Sequence, residues 1–135
     1  MKDLQSIKFW IFDLDNTLYS GKTKVFEQVD KKMTEYISKK LKVDKEEAKK
    51  IQKNYFHKYN TTLNGMIKNH KINAHEFLEF VHDINIEFLQ KDPDLAKEIE
   101  RLDGIKIIFT NGSRKHALNV TKRLGVDQLF DDIFD

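Results

Sequence analysis

The sequence predicts an α/β fold: a parallel sheet, incomplete within these 135 residues, that carries a helical insertion. Three observations predict it. Two short apolar runs, "IKFWIF" at 7–12 and "IKIIFT" at 105–110, each stop at a polar turn, "DLDNT" and "TNGS". Roughly 80 residues between them read mostly as helix, from apolar residues spaced by three and four. A further helix follows the second run, and Ile133-Phe134 looks like the opening of a third strand.

The first run is nearly continuous in apolar character, as expected of a strand buried on both faces of a parallel sheet. After it, Phe26, Val29, Met33, Ile37 and Leu41 form one face of a first helix. Asp44 with Glu47 has the N-cap and capping-box pattern for a second, with Ala48, Ile51 and Tyr55 inward. "TTLNGMI" carries a short third, and Asn73 with Glu76 opens a fourth showing Phe77, Val81 and Ile84. Asp92-Pro93 starts a fifth, because proline at the first helical position loses no hydrogen bond there. It runs through Leu95, Ile99 and Leu102 towards Gly104, a plausible stop. Ser113 caps the last helix, with Ala117, Val120 and Leu124 inward and Gly125 beyond its end. The expected division is 1–19 with 92–135 as core and 20–91 as insertion. Two strands and two or three helices cannot shield both faces of a parallel sheet, so the chain reads as part of a longer protein.

Composition narrows the function classes. Lys+Arg is 24 and Asp+Glu 22, a net of +2, so no global field selects nucleic acid or membrane. Between Lys22 and Lys58 twelve lysines face six acids, a local excess read as the solvated face of helices. There is no cysteine, hence no disulfide, thiolate nucleophile or Cys-bound zinc. No stretch approaches the ~20 apolar residues of a membrane span, so the expected setting is cytoplasmic.

The two turns carry the chemistry. Asp13 and Asp15 end a strand and project from one face, roughly 6–7 Å apart at Cα. Two such charges repel by roughly 3 kcal/mol at an effective dielectric near 20. The cost is relieved if a cation neutralises one carboxylate and the other takes up a proton. The first is then an ionised nucleophile and the second a general acid and base. An EF-hand loop also spaces acids by two, but Leu18 stands where it needs glycine and Lys24 where it needs glutamate. In "TNGS", the Thr110 hydroxyl, the backbone N–H groups of Asn111 and Gly112, and the positive end of the following helix suit a phosphate. Sheets of this kind bind ligands beyond the carboxyl ends of their strands, where both turns lie.

"FDLDNTLY" and "IIFTNGS" resemble the first and second motifs of the haloacid dehalogenase-like phosphohydrolases, whose core is a Rossmann-like sheet. "NYFHKYNTTLNGMIKNHKIN" followed by "FVHDIN" resembles the helical cap of the subfamily named for pyrimidine 5′-nucleotidases. The resemblance implies a magnesium-dependent phosphomonoesterase acting on a small phosphorylated substrate such as a nucleoside monophosphate. Asp13 would attack phosphorus and Asp15 would protonate the leaving oxygen and then activate water. Magnesium would sit on the Asp13 carboxylate and the Asp15 backbone carbonyl, Thr110 and the Asn111 amide would hold the phosphoryl group, and the cap would close to exclude water. A carboxylate at Asp15 also separates the chain from the dehalogenases and phosphonatases of the superfamily.

The resemblance also marks departures. The family's third-motif lysine and fourth-motif acids fall beyond residue 135, so a catalytically incomplete module that binds magnesium and phosphate is the alternative. Asp131-Asp132 are no substitute, since no apolar strand precedes them. Asn60 and Asn64 stand where related sequences often show glycine and arginine, which leaves the substrate open. His57, His70, His75, His82 and His116 show no metal-ligand spacing. Asn119-Val120-Thr121 matches a glycosylation sequon by chance, and Trp10 is expected in the core.

Overall fold

Four consecutive large apolar residues form β1 (Phe9–Phe12), and the β-branched run 105–109 forms β2 (Ile105–Phe109). In this computed structural model, which describes residues 6–135, they pair in parallel with Phe9 beside Ile105 and Phe12 beside Ile108. The third strand, β3 (Asp132–Phe134), adds to the far side of β2 and gives the order β1-β2-β3. The first strand is shorter than residues 7–12: the ladder begins where the Ile105 N–H meets the Lys8 carbonyl at 2.9 Å. That approach explains Gly104, whose φ is +101° and where a Cβ would stand 2.5 Å from the Lys8 oxygen.

The helices are α1 (Val25–Leu41), α2 (Lys45–Tyr59), α3 (Thr62–His70), α4 (Ala74–Val81), α5 (Pro93–Glu100) and α6 (Arg114–Leu124). The chain divides into two compact units. One comprises 1–24, as far as it is described, together with 86–135; the other is Val25–Asn85.

In the first unit, register decides which side chains are covered. Trp10, Phe12, Ile108 and Ile133 share one face of the sheet, where Ile108 and Ile133 are buried together with Ala117, Val120 and Leu124 of α6. Phe130 meets Phe12 edge-on at 5.3 Å. Trp10, expected in the core, is only half-buried, because its indole N–H reaches out to the Asp103 carbonyl at 2.8 Å. The opposite face holds Phe9, Ile11, Ile105, Phe109 and Phe134, and it stays open: Ile11 is 71% and Phe109 60% exposed. The sequence expectation of a sheet too small to be shielded on both sides holds for the described residues. Asp92, Pro93 and Ser113 take their expected capping places, with Asp92 and Ser113 accepting from the N–H of Leu95 and His116.

The second unit is built on Phe77, Ile37, Met66, Val29, Val81 and Ala48. Asp44, Thr61 and Asn73 cap α2, α3 and α4 through their side chains. On α1 the inward face is turned slightly from the expected one. Val25 and Tyr36 are buried, whereas Phe26 is exposed and Met33 half-buried. Gln52, polar and buried on α2, is satisfied by Asp30 Oδ1 and the Thr34 hydroxyl, each at 2.7 Å. Gly65 lets α3 lie against α2, since a Cβ there would come within 2.4 Å of Tyr55. Asn60 ends α2 at φ +67°, a conformation glycine and asparagine share. The lysine-rich stretch is solvated, all but Lys32 being exposed, and it carries the i,i+4 pairs Lys31–Glu27, Lys39–Glu35 and Lys50–Glu46.

Two isoleucines with the same strand propensity therefore differ in what they hold. Ile108→Ala is expected to lower the unfolding free energy by roughly 2–5 kcal/mol, and Ile11→Ala by under about 1 kcal/mol. Urea denaturation of the two variants beside the native chain checks the contrast.

Candidate active site

The chain leaves β1 in a tight turn. The Leu14 carbonyl accepts from the N–H of Thr17 (3.2 Å) and Leu18 (3.0 Å), and Asn16 inside the turn takes φ +59°. Leu14 is fully buried between exposed Asp13 and half-buried Asp15, so the leucine anchors the turn. The Thr17 hydroxyl donates to Asp13 Oδ2 at 2.8 Å, and the Tyr19 hydroxyl to Asp15 Oδ1 at 2.5 Å. Each acid has its own local donor. Burial, and then the charge of Asp15, push the Tyr19 phenol well above the ordinary tyrosine range.

The second turn leaves β2 beside the first. Thr110 is buried, its N–H donating to the Phe134 carbonyl at 2.9 Å. Asn111 is exposed and Gly112 buried. The Gly112 N–H donates to Thr110 Oγ1 at 3.0 Å, so that amide closes the turn rather than standing open to a ligand. The N-terminus of α6 is partly used as well. Ser113 Oγ accepts from the His116 N–H, and the Arg114 N–H goes to the Asp135 carboxylate at 2.7 Å. The Arg114 guanidinium binds Asp132 and the Ile133 carbonyl, which ties α6 to β3 and holds the Asp132 carboxyl below the usual carboxylate range.

The two turns meet through a residue the sequence did not single out for the site. His116, buried in the first turn of α6, places Nε2 2.9 Å from Asp15 Oδ1. Asp15 is thus approached by Tyr19 from its own turn and by His116 from the other. The Tyr19 contact is local, four residues from Asp15. The position of His116 required the β1–β2 pairing, and its lack of metal-ligand spacing hid it.

Oxygen donors dominate what this site could offer a cation. The Asp13 carboxylate and the Asp15 backbone carbonyl are hard ligands that suit magnesium, an ion that keeps several waters of its own. Among the described residues no cluster of three or more His, Cys, Asp or Glu could hold a metal ion. Asp131 is an acid of the connection, accepting from the Lys106 N–H at 2.7 Å, and Asp132 opens β3 itself. No helix among the described residues is long and apolar enough to cross a membrane.

The family described as "Hydrolase: haloacid dehalogenase-like hydrolase" matches residues 7–135. A curated relative, "Phosphate metabolism protein 8" of Saccharomyces cerevisiae, is 30% identical over 136 residues. That match takes in 93% of this chain, which spans 42% of the relative's length.

The raised Tyr19 phenol has a consequence for stability. A group whose pKa is higher folded than unfolded retains its proton after the unfolded chain has lost its own. Its contribution is fully present below the ordinary value of 10.0 and is lost as pH rises beyond it. Unfolding free energy is expected to fall above that pH, and less steeply in Tyr19→Phe. Denaturant titrations across the alkaline limb compare the two slopes.

Proposed function

Because the chain belongs to the haloacid dehalogenase-like hydrolases, we propose that it carries the nucleophile and the acid–base group of a phosphomonoesterase acting on pyrimidine nucleoside monophosphates. The observation that supports this best is the turn after β1. It holds two carboxylates flanking a buried leucine, the first bonded to a threonine and the second to a tyrosine and a histidine.

In this reading an Asp13 carboxylate oxygen forms the bond to phosphorus as the ester P–O bond breaks. Asp15 gives its proton to the departing oxygen, so an alcohol leaves. Water then attacks phosphorus, Asp15 takes its proton, the bond to Asp13 breaks, and inorganic phosphate departs. Thr110 and the Asn111 amide hold the phosphoryl oxygens. The Gly112 amide serves them indirectly, by fixing the Thr110 hydroxyl. Magnesium, when bound to the Asp13 carboxylate and the Asp15 carbonyl, supplies positive charge against the phosphoryl oxygens. The preference for a pyrimidine nucleotide comes from the resemblance of the helical unit and is the least constrained part of the reading.

A second reading has its own support. The described residues offer two hard ligands and no three-membered cluster, and the chain spans 42% of its relative. Such a module would bind magnesium and phosphate without turnover.

Phosphate release from uridine 5′-monophosphate separates the two. The first reading expects release that requires magnesium and falls on the order of a thousandfold or more in Asp13→Asn. Release that is unchanged in Asp13→Asn or after chelation contradicts it. Thermal stabilisation by magnesium and phosphate without release favours the second.

A further inference from the structure

We propose that Tyr19 and His116 are positioning residues that fix the carboxylate of Asp15. The inference rests on the acid–base role proposed for Asp15 and extends it to two side chains outside the turns "DLDNT" and "TNGS".

A carboxylate at the end of a strand can turn about two single bonds, and a proton donor in the wrong orientation loses most of its effect. Here two donors converge on one oxygen. The Tyr19 hydroxyl lies 2.5 Å and His116 Nε2 2.9 Å from Asp15 Oδ1. Fixing that oxygen fixes the plane of the carboxylate and with it the second oxygen. Both donors are themselves buried: Tyr19 is 5% and His116 3% exposed. The histidine is placed by the same serine cap that starts α6 directly after "TNGS". The orientation of the acid is therefore tied to the element that follows the phosphate-side turn. Because an ionised carboxylate only accepts, the imidazole tautomer that fits carries its proton on Nε2.

Stability alone offers a simpler account, in which the histidine and tyrosine merely satisfy a half-buried acid. The two accounts differ in how they respond to the leaving group. An alkyl ester needs its oxygen protonated as the bond breaks, whereas p-nitrophenolate leaves as a stable anion. Loss of orientation at Asp15 should therefore fall on the first and spare the second.

The test compares kcat/KM for uridine 5′-monophosphate and p-nitrophenyl phosphate, with magnesium, in the native chain, Tyr19→Phe, His116→Ala and His116→Gln. Positioning predicts a loss of about tenfold or more on the nucleotide in Tyr19→Phe and His116→Ala, part of the ~10²–10⁴ that acid–base catalysis supplies. The aryl ester should stay within about threefold, and His116→Gln, whose amide N–H reaches the place of Nε2, should recover much of the nucleotide rate. Equal losses on both esters overturn the proposal. Tyr19→Phe keeps the ring and guards against a misfolded His116 variant. If the native chain hydrolyses neither ester, the phosphatase reading fails, and nitrogen-edited NMR of the imidazole still tests the contact between Nε2 and Asp15 that positioning requires. A slowly exchanging proton on Nε2 that is lost in Asp15→Ala upholds it. A ring protonated only on Nδ1, or an Nε2 proton that exchanges as fast as in Asp15→Ala, overturns it.

Discussion

The parallel pairing of β1 with β2 is the constraint on which the site depends. Phe12 beside Ile108 sends Asp13 and Asp15 out of the sheet next to the turn that carries Thr110, Asn111 and Gly112. Side chains alternate across a strand, so a slip of one residue would exchange the two faces. A slip of β1 would turn Phe12 outward and Ile11 and Phe9 inward, and carry both carboxylates away from His116. Gly104 guards this register from the other end of the strand. With its positive φ and the Lys8 carbonyl hard against it, it admits the close approach at which the ladder begins.

Two carboxylates so near each other are costly, and two hydroxyls of the local chain and the distant imidazole of His116 meet them. The tight turn after the strand suffices to bring Thr17 to Asp13 and Tyr19 to Asp15. The two acids are then distinguished by burial. Asp13 is exposed and tied to a small hydroxyl, as the proposed nucleophile requires, while Asp15 is half-buried between an aromatic hydroxyl and an imidazole. The asymmetry that acid–base chemistry needs is built from neighbours of different size and origin.

Much of this was legible in the sequence, where local signals suffice. Asp44, Asn73, Asp92 and Ser113 cap helices as their side chains predict, and the apolar spacing locates six helices and the strands. What the sequence hid needed tertiary information. Nothing in "FWIF" distinguishes Ile11, left exposed, from the half-buried Trp10 and Phe12, because continuous apolar runs carry no face signal. The phase of α1 was misjudged at Phe26 because large apolar residues fit either side of the boundary of its inner stripe. His116 looked like an ordinary helix residue, since its partner lies 101 positions away. The Gly112 amide was assigned outward, whereas the Thr110 hydroxyl, two residues back, captures it.

The central claim is that the carboxylate leaving β1 first is the group that receives phosphorus. Covalent trapping tests it most directly. The chain is incubated with p-nitrophenyl phosphate and magnesium, quenched in acid and digested, and the peptide spanning residues 9–19 is sequenced by mass spectrometry. The account predicts one added phosphoryl group located on Asp13. A phosphoryl group on Asp15, on Thr17 or in another peptide, or none under conditions where phosphate is released, would contradict it.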